Sequence, residues 1–186
     1  MKKKKKRRSE RKMSFSQQVR QSVNGDEYYT PQKAVDMIIP YIVKKGYKTI
    51  WCPFDTADSK FVTTFKEKGF NVRYGHIETG QDFFEYQKPQ GDIIISNPPF
   101  SKRDAIFQKI YEWDIPFALI MNFNGLFDSR KRADIFRKHR VEILVPRGRM
   151  KFYHRTKGLL KSPNFQSIYV CNQLLDDQIV FDETEF

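Results

Sequence analysis

From about residue 30 to residue 145, short apolar runs alternate with stretches whose apolar residues recur at helical spacing. This rhythm constrains the fold more than any other feature of the chain. Val35, Ile38, Ile39 and Ile42 fall at i, i+3, i+4 and i+7, one face of a helix. Thr30 is the expected N-cap with Pro31 at the first helical position, Pro40 is expected to kink or shorten the helix, and Gly46 to close it. Residues 48–54 read as a buried strand, 58–68 as a helix stopped by Gly69, and 71–77 and 92–96 as further strands. Residues 102–114, with Ile106, Ile110 and Trp113 on one face, read as a helix. A strand over 117–122, a helix over 129–139 and a strand over 141–145 follow. Such alternation predicts an α/β fold, a mostly parallel open sheet with helices on both faces. Residues 150–153 and 166–171 are strand-like and joined by a long loop, which predicts a C-terminal antiparallel hairpin closing one edge of the sheet.

The net charge of +12 is unevenly spread. Residues 1–12 hold nine Lys or Arg and one acid, so this short segment carries +8 and the remainder +4. The segment has no apolar periodicity, and like charges at this density repel. The sequence therefore divides into a basic, disordered arm over residues 1–24 and one folded domain over 25–186. The arm reads equally as a nucleic-acid contact that releases counterions or as a solvated terminus. With 39% hydrophobic residues and 15% aromatics the body has material for a packed core. No apolar run approaches the ~20 residues of a membrane helix, and no apolar stretch follows the charged start as in a secretory signal. Cys52 and Cys171 are too few for a disulfide scaffold, and His76, His139 and His154 lack metal-ligand spacing. A cytoplasmic protein without metal or membrane partner is expected.

The most informative stretch is Asp92-Ile93-Ile94-Ile95-Ser96-Asn97-Pro98-Pro99-Phe100. In an open α/β sheet ligands bind beyond the carboxyl ends of the strands, where the last four of these residues fall. Two prolines fix two φ angles and donate no N–H, leaving a rigid turn flanked by an amide and a ring. Such a turn suits a planar amine: Asn97 Oδ1 and the Pro98 carbonyl can each accept a hydrogen bond from an exocyclic NH2. Held so, the nitrogen lone pair is turned out of conjugation and toward an electrophile, while Phe100 stacks on the base. The bland alternative is a proline-rich strand-to-helix turn with no chemistry.

Asn97-Pro98-Pro99-Phe100 resembles the catalytic tetrapeptide of S-adenosylmethionine-dependent amino-methyltransferases. More of the chain is similar to the small phage-type DNA N6-adenine methyltransferases. Tyr29-Thr30-Pro31 resembles that group's entry to the first helix, which lies against the cofactor. Gly148-Arg149-Met150-Lys151-Phe152 and Pro163-Asn164-Phe165-Gln166-Ser167 follow in the group's order. The resemblance implies a Rossmann-like methyltransferase fold and a base flipped from its stack and gripped by Asn97, Pro98 and Phe100. It implies S-adenosylmethionine as cofactor and nucleic acid as partner, DNA before RNA.

The chain also departs from that pattern. Where the first strand is usually followed by a glycine-rich turn, it has Cys52-Pro53-Phe54-Asp55-Thr56-Ala57-Asp58-Ser59. Asp55 is expected to accept from the cofactor's ammonium, and Asp58 or Ser59 to cap the next helix. Glu78 is expected at the ribose hydroxyls with His76 beside the adenine, and Asp82-Phe83 at the adenine amine and ring; each also reads as an ordinary loop residue. Lys102, Arg103, Arg147, Arg149, Lys151 and Lys157 are expected to contact nucleic acid. Arg130, Lys131 and Arg132 extend the basic series, and Phe152 and Tyr153 are expected to offer stacking faces. Three alternatives remain open: an RNA adenine methyltransferase, a protein glutamine methyltransferase, and an inactive nucleic-acid-binding relic of the fold.

Overall fold

The computed structural model describes residues 28–154, 158–159 and 166–186. The expected arm and Lys157 lie outside the described residues. In chain order the elements are β1 (Tyr28–Tyr29), α1 (Gln32–Lys45), β2 (Thr49–Cys52), α2 (Lys60–Glu67), β3 (Asn71–Tyr74) and β4 (Ile93–Ser96). There follow α3 (Arg103–Glu112), β5 (Phe117–Asn122), α4 (Arg130–Lys138), β6 (Glu142–Arg147), β7 (Tyr153–His154), β8 (Gly158–Leu159), β9 (Ser167–Asn172) and β10 (Ile179–Glu185). Short 3-10 turns cover Ile77–Thr79, Phe83–Glu85 and Phe100–Lys102.

Seven strands form one sheet in the order β10-β6-β9-β5-β4-β2-β3. β2 runs parallel to β3 and β4, β4 to β5, and β10 to β6, while β9 alone runs antiparallel between β5 and β6. The side-chain period of two sorts these strands onto two faces. Ile50, Cys52, Ile93, Ile95, Ala118, Ile120, Tyr169 and Cys171 meet Val35, Ile38 and Ile42 of α1 and Phe61 and Phe65 of α2. Trp51, Ile94, Phe117, Leu119, Met121, Ile168 and Val170 meet Ile106, Phe107 and Ile110 of α3 and Phe136 of α4. This is the doubly wound, Rossmann-like α/β arrangement expected from the sequence.

Local chemistry fixes the register that matters for the site. Asp92 accepts from the backbone N–H groups of Lys48 (3.0 Å) and Thr49 (2.8 Å), tying the start of β4 to the start of β2. Gly91 permits this approach, because a Cβ there would lie 2.8 Å from the Thr49 carbonyl. β2 and β4 therefore present their carboxyl ends side by side. Ser59, one of the two caps expected for α2, accepts from Val62 N–H, and Ser129 caps α4 by accepting from Arg132 N–H.

Three expectations need correction. The N-cap of α1 is Pro31, one residue later than expected, with no side-chain cap bond. Pro40 neither shortens nor ends α1, which runs on to Lys45; the proline is exposed, where water can serve the carbonyl left unbonded by its ring. Of the run expected at 150–153 only Tyr153 is strand, in β7, while the run at 166–171 is the antiparallel β9, and the two do not pair with each other. β7 joins β1 and β8 in a small separate sheet, whereas every residue of β9 is buried in the middle of the large one. The edge is closed by β10, whose exposed, acid-rich residues carry no apolar-face signal.

Candidate active site

Chain direction through the sheet reverses beside β2: β3 lies to one side and β4 with its successors to the other. A crevice opens beyond the carboxyl ends of the strands at such a switch point. Residues 53–55 leave β2 on one side of it, and Asn97-Pro98-Pro99-Phe100 leaves β4 on the other. Pro98 is buried, and Asn97, Pro99 and Phe100 are half-buried, with Phe100 packed against the α3 side of the core. Pro99 has φ −64° and caps the turn that feeds α3.

The two sides are joined by one hydrogen bond. Ser96, the last residue of β4, donates its hydroxyl to Asp55 Oδ2, and Ser59 adds a second hydrogen bond to the same carboxylate. Asp55 is only 8% exposed. Burial pushes its carboxyl up to about 7, against the opposing pull of the two serines. Its N–H donates to the Gly75 carbonyl (3.0 Å), and Gly75 N–H donates to the Cys52 carbonyl (3.1 Å), so the glycine-free turn is braced by a glycine at the end of β3. A Cβ on Gly75 would come within 3.2 Å of Gln81 and 3.3 Å of the Tyr86 hydroxyl. Sequence reasoning singled out neither Gly75 nor Ser96; a lone Ser or Gly at a strand end carries no signal until the strands are ordered.

The remaining expected cofactor residues divide. Glu78 is exposed just past β3, on the turn that His76 caps by accepting from Glu78 N–H (3.2 Å). Asp82 uses Oδ1 to cap the next turn, accepting from Phe84 N–H at 2.9 Å. Phe83 is 2% exposed, with its ring 4.7 Å from Phe54, 5.8 Å from Trp51 and 5.5 Å from Trp113. That ring has almost no face to offer a ligand, which corrects the expectation; it anchors the segment after β3 to the core. Tyr29 is exposed, while Thr30 and Pro31 are half-buried at the start of α1. The Tyr169 hydroxyl donates to the Ala34 carbonyl (2.8 Å), and Tyr169 pairs with Ile120 in the second half of β5. The start of α1 therefore lies at the same end of the sheet as the crevice.

Of the expected nucleic-acid contacts, Lys102, Arg149 and Lys151 are exposed and Arg103 is half-buried. Arg147 is exposed 3.8 Å from Glu183. Arg132 is not a surface cation. Only 4% exposed, it donates to the carbonyls of Leu126 (2.7 Å) and Gly125 (2.6 Å) and pairs with Asp104. Phe152, 1% exposed, packs in the core rather than offering a stacking face, and the side chain of Tyr153 lies outside the described residues. Among the described residues no group of three or more His, Cys, Asp or Glu side chains could hold a metal ion. No helix among them is long and apolar enough to cross a membrane.

No known protein family and no curated protein matches the sequence. Solved structures do. The M protein of the type I restriction enzyme EcoKI aligns over 86% of this chain and 46% of its own, at 14% identity and a TM-score of 0.44. A methyltransferase subunit of a type I restriction-modification system from Streptococcus thermophilus aligns over 83% and 46%, at 10% identity and a TM-score of 0.49. A candidate RNA methyltransferase from Pyrococcus horikoshii aligns over 78% and 85%, at 13% identity and a TM-score of 0.49. The chain spans about half the length of the restriction-system subunits it resembles.

Proposed function

We propose that this protein transfers a methyl group from S-adenosylmethionine to the exocyclic N6 amine of adenine in nucleic acid, DNA rather than RNA. The observation that carries the reading is Asn97-Pro98-Pro99-Phe100 at the carboxyl end of β4, beside β2 and joined to Asp55 through Ser96. The residues fit the cofactor by charge. Asp55 is a buried carboxyl that is costly to ionise alone, and a bound ammonium would stabilise its charged form. Glu78, exposed at the end of the neighbouring strand, is the carboxylate for the ribose hydroxyls. Tyr29, Thr30 and Pro31 form the wall at the entry to α1. Asp82 keeps one carboxylate oxygen beyond its cap bond and remains a candidate for the adenine amine.

Bound in the crevice, S-adenosylmethionine would supply an electrophilic methyl group, with the adenine amine as its acceptor. The chain's own part is positional. Asn97 Oδ1 and the Pro98 carbonyl accept hydrogen bonds from the two amine N–H groups, which aims the lone pair and stabilises the charge growing on nitrogen. No base is needed beforehand, because the amine is acidic once methylated and then loses its proton. Phe100 stacks on the flipped base, whose extrusion costs a few kcal/mol in a duplex and less in an unpaired strand.

Labelled methyl transfer to DNA, RNA and protein extract identifies the acceptor, and counts in DNA alone are expected. Asn97→Ala should abolish transfer while leaving cofactor affinity unchanged. Retained activity would remove the amine-gripping role. The inert-relic reading draws on the buried Phe83 and the glycine-free turn. Calorimetric titration decides it, since a folded protein that takes up no S-adenosylmethionine is not this enzyme.

A further inference from the structure

An open cleft of about 390 Å³ lies between the first turn of α3 and the first turn of α4. Phe100, Ser101, Lys102, Arg103, Asp104, Ala105, Lys131 and Arg132 line it, so four cations face one carboxylate, and its first residue is the last of the amine-binding turn. Arg132 is committed to the loop and to Asp104; partial burial of Arg103, and after it the charge of Arg132, hold the Arg103 guanidinium below its usual range, with Asp104 and Asp128 opposing. Lys102 and Lys131 are exposed. The cleft is therefore electropositive beyond what its own carboxylates neutralise.

Beside it runs the loop from β5 to α4. Leu126 is buried, Gly125 has φ +69°, and Arg132 ties down the carbonyls of both. On this fixed loop Phe123 and Phe127 are 45% and 51% exposed, with ring centroids 6.3 Å apart. A buried arginine thus holds two large apolar rings in solvent next to a cationic cleft at the mouth of the site. Water-exposed rings on an ordered loop are unfavourable unless something covers them. Cations beside stacking faces are the combination that takes a nucleic-acid strand.

We infer that this cleft and loop bind the strand flanking the target base. Lys102, Arg103 and Lys131 receive a backbone phosphate, and Phe123 and Phe127 receive the face of a neighbouring base. The inference rests on nucleic acid being the substrate and adds the polarity of its path: the strand leaves the Asn97–Phe100 turn toward α4.

The test is fluorescence anisotropy of a labelled single-stranded oligonucleotide with the full chain, over a range of salt. Phe123→Ala with Phe127→Ala should weaken binding at least about fivefold at fixed salt, as loss of one stacked base requires. The salt slope of that variant should stay unchanged. Lys102→Ala with Lys131→Ala should lower the slope by up to about 0.7, the contribution of one phosphate charge on a single strand. Phe181→Ala, which removes a 77% exposed ring on β10, should bind like the wild type, which separates this surface from exposed rings in general. If the wild type binds no oligonucleotide, the nucleic-acid reading itself fails. If it binds and neither pair of substitutions alters affinity or slope, the surface alone is overturned. A changed slope with unchanged affinity in the phenylalanine pair would leave a plain anion cleft and refute the stacking.

Discussion

Replacing Asp55 by asparagine keeps the shape and the acceptor for Ser96 but removes a charge buried at the centre of the crevice. The carboxyl sits at about 7 in the fold against 3.8 in a free chain, and the first cause is burial. Each unit is about 1.36 kcal/mol, so ionising Asp55 costs the native state roughly 4 kcal/mol. The sign follows from where the proton sits. Below pH ~4 the carboxyl is protonated in both states and costs nothing. Between pH ~4 and ~7 only the native state keeps the proton, so stability falls as pH rises. Above that window both states are ionised and the loss is complete. Asp55→Asn has no such term, so its stability relative to wild type should climb by roughly 4 kcal/mol across the window and then level off. Urea unfolding of both proteins at each pH unit from 4 to 9 measures the difference, in which the other titrations cancel. A difference that stays flat within about 1 kcal/mol would refute the reasoning, since the carboxylate would then be compensated by charges other than those named. The same proton links the fold to function: wild-type affinity for S-adenosylmethionine should rise up to about pH 7, and Asp55→Asn should lose both that rise and about tenfold or more of affinity.

The other predictions need less development. Gly91→Ala should cost about 1–3 kcal/mol in chemical denaturation, because the new Cβ meets the Thr49 carbonyl at 2.8 Å and a backbone oxygen in a ladder cannot step aside. Arg132→Met should cost about 2–3 kcal/mol, since the carbonyls of Gly125 and Leu126 lose charged donors while the half-exposed Asp104 can turn to water. Proteolysis of the same variant should show earlier cleavage within residues 123–129. Deleting residues 1–12 should leave labelled methyl transfer intact at low salt and weaken it at higher salt, the signature of an arm that supplies phosphate contacts. Equal salt dependence with and without the arm would make it a solvated terminus.

What was legible in the sequence was whatever burial imposes on side-chain type. β2, β4 and β5 are apolar on both faces because helices cover both, so their residues announce themselves. The tetrapeptide after β4 was visible for a similar reason: prolines constrain a backbone whatever surrounds them. β10 left no trace, because one of its faces is exposed and the other only half-buried; its ladder to β6 is supplemented by Val180 against the core and by Asp182 accepting from Tyr41. The position of β9 left a trace that adjacency in the chain obscured; Ser167-Ile168-Tyr169-Val170-Cys171-Asn172 is too continuously apolar for an edge. At the site, Asp55 stood out because it lies in a glycine-free turn where the resemblance calls for glycines. Phe83 could not be assigned, since an aromatic bound for the core and one bound for a ligand are the same residue until Phe54, Trp51 and Trp113 are seen around it.

The antiparallel strand has a consequence in time. Among the described residues β6 pairs only with β9 and β10, and β5 takes β9 as its neighbour on that side. Both partners of β6 are encoded after residue 166, so a chain emerging from a ribosome can join β3, β2, β4 and β5 while β6 still has no strand to pair with. The half carrying the Asn97–Phe100 turn is thus complete early, and the other half waits for β9 and β10. Removing those two strands would leave β6 without a partner and the flank of β5 open to pair with another chain, making the later strands the guard against aggregation of the earlier ones.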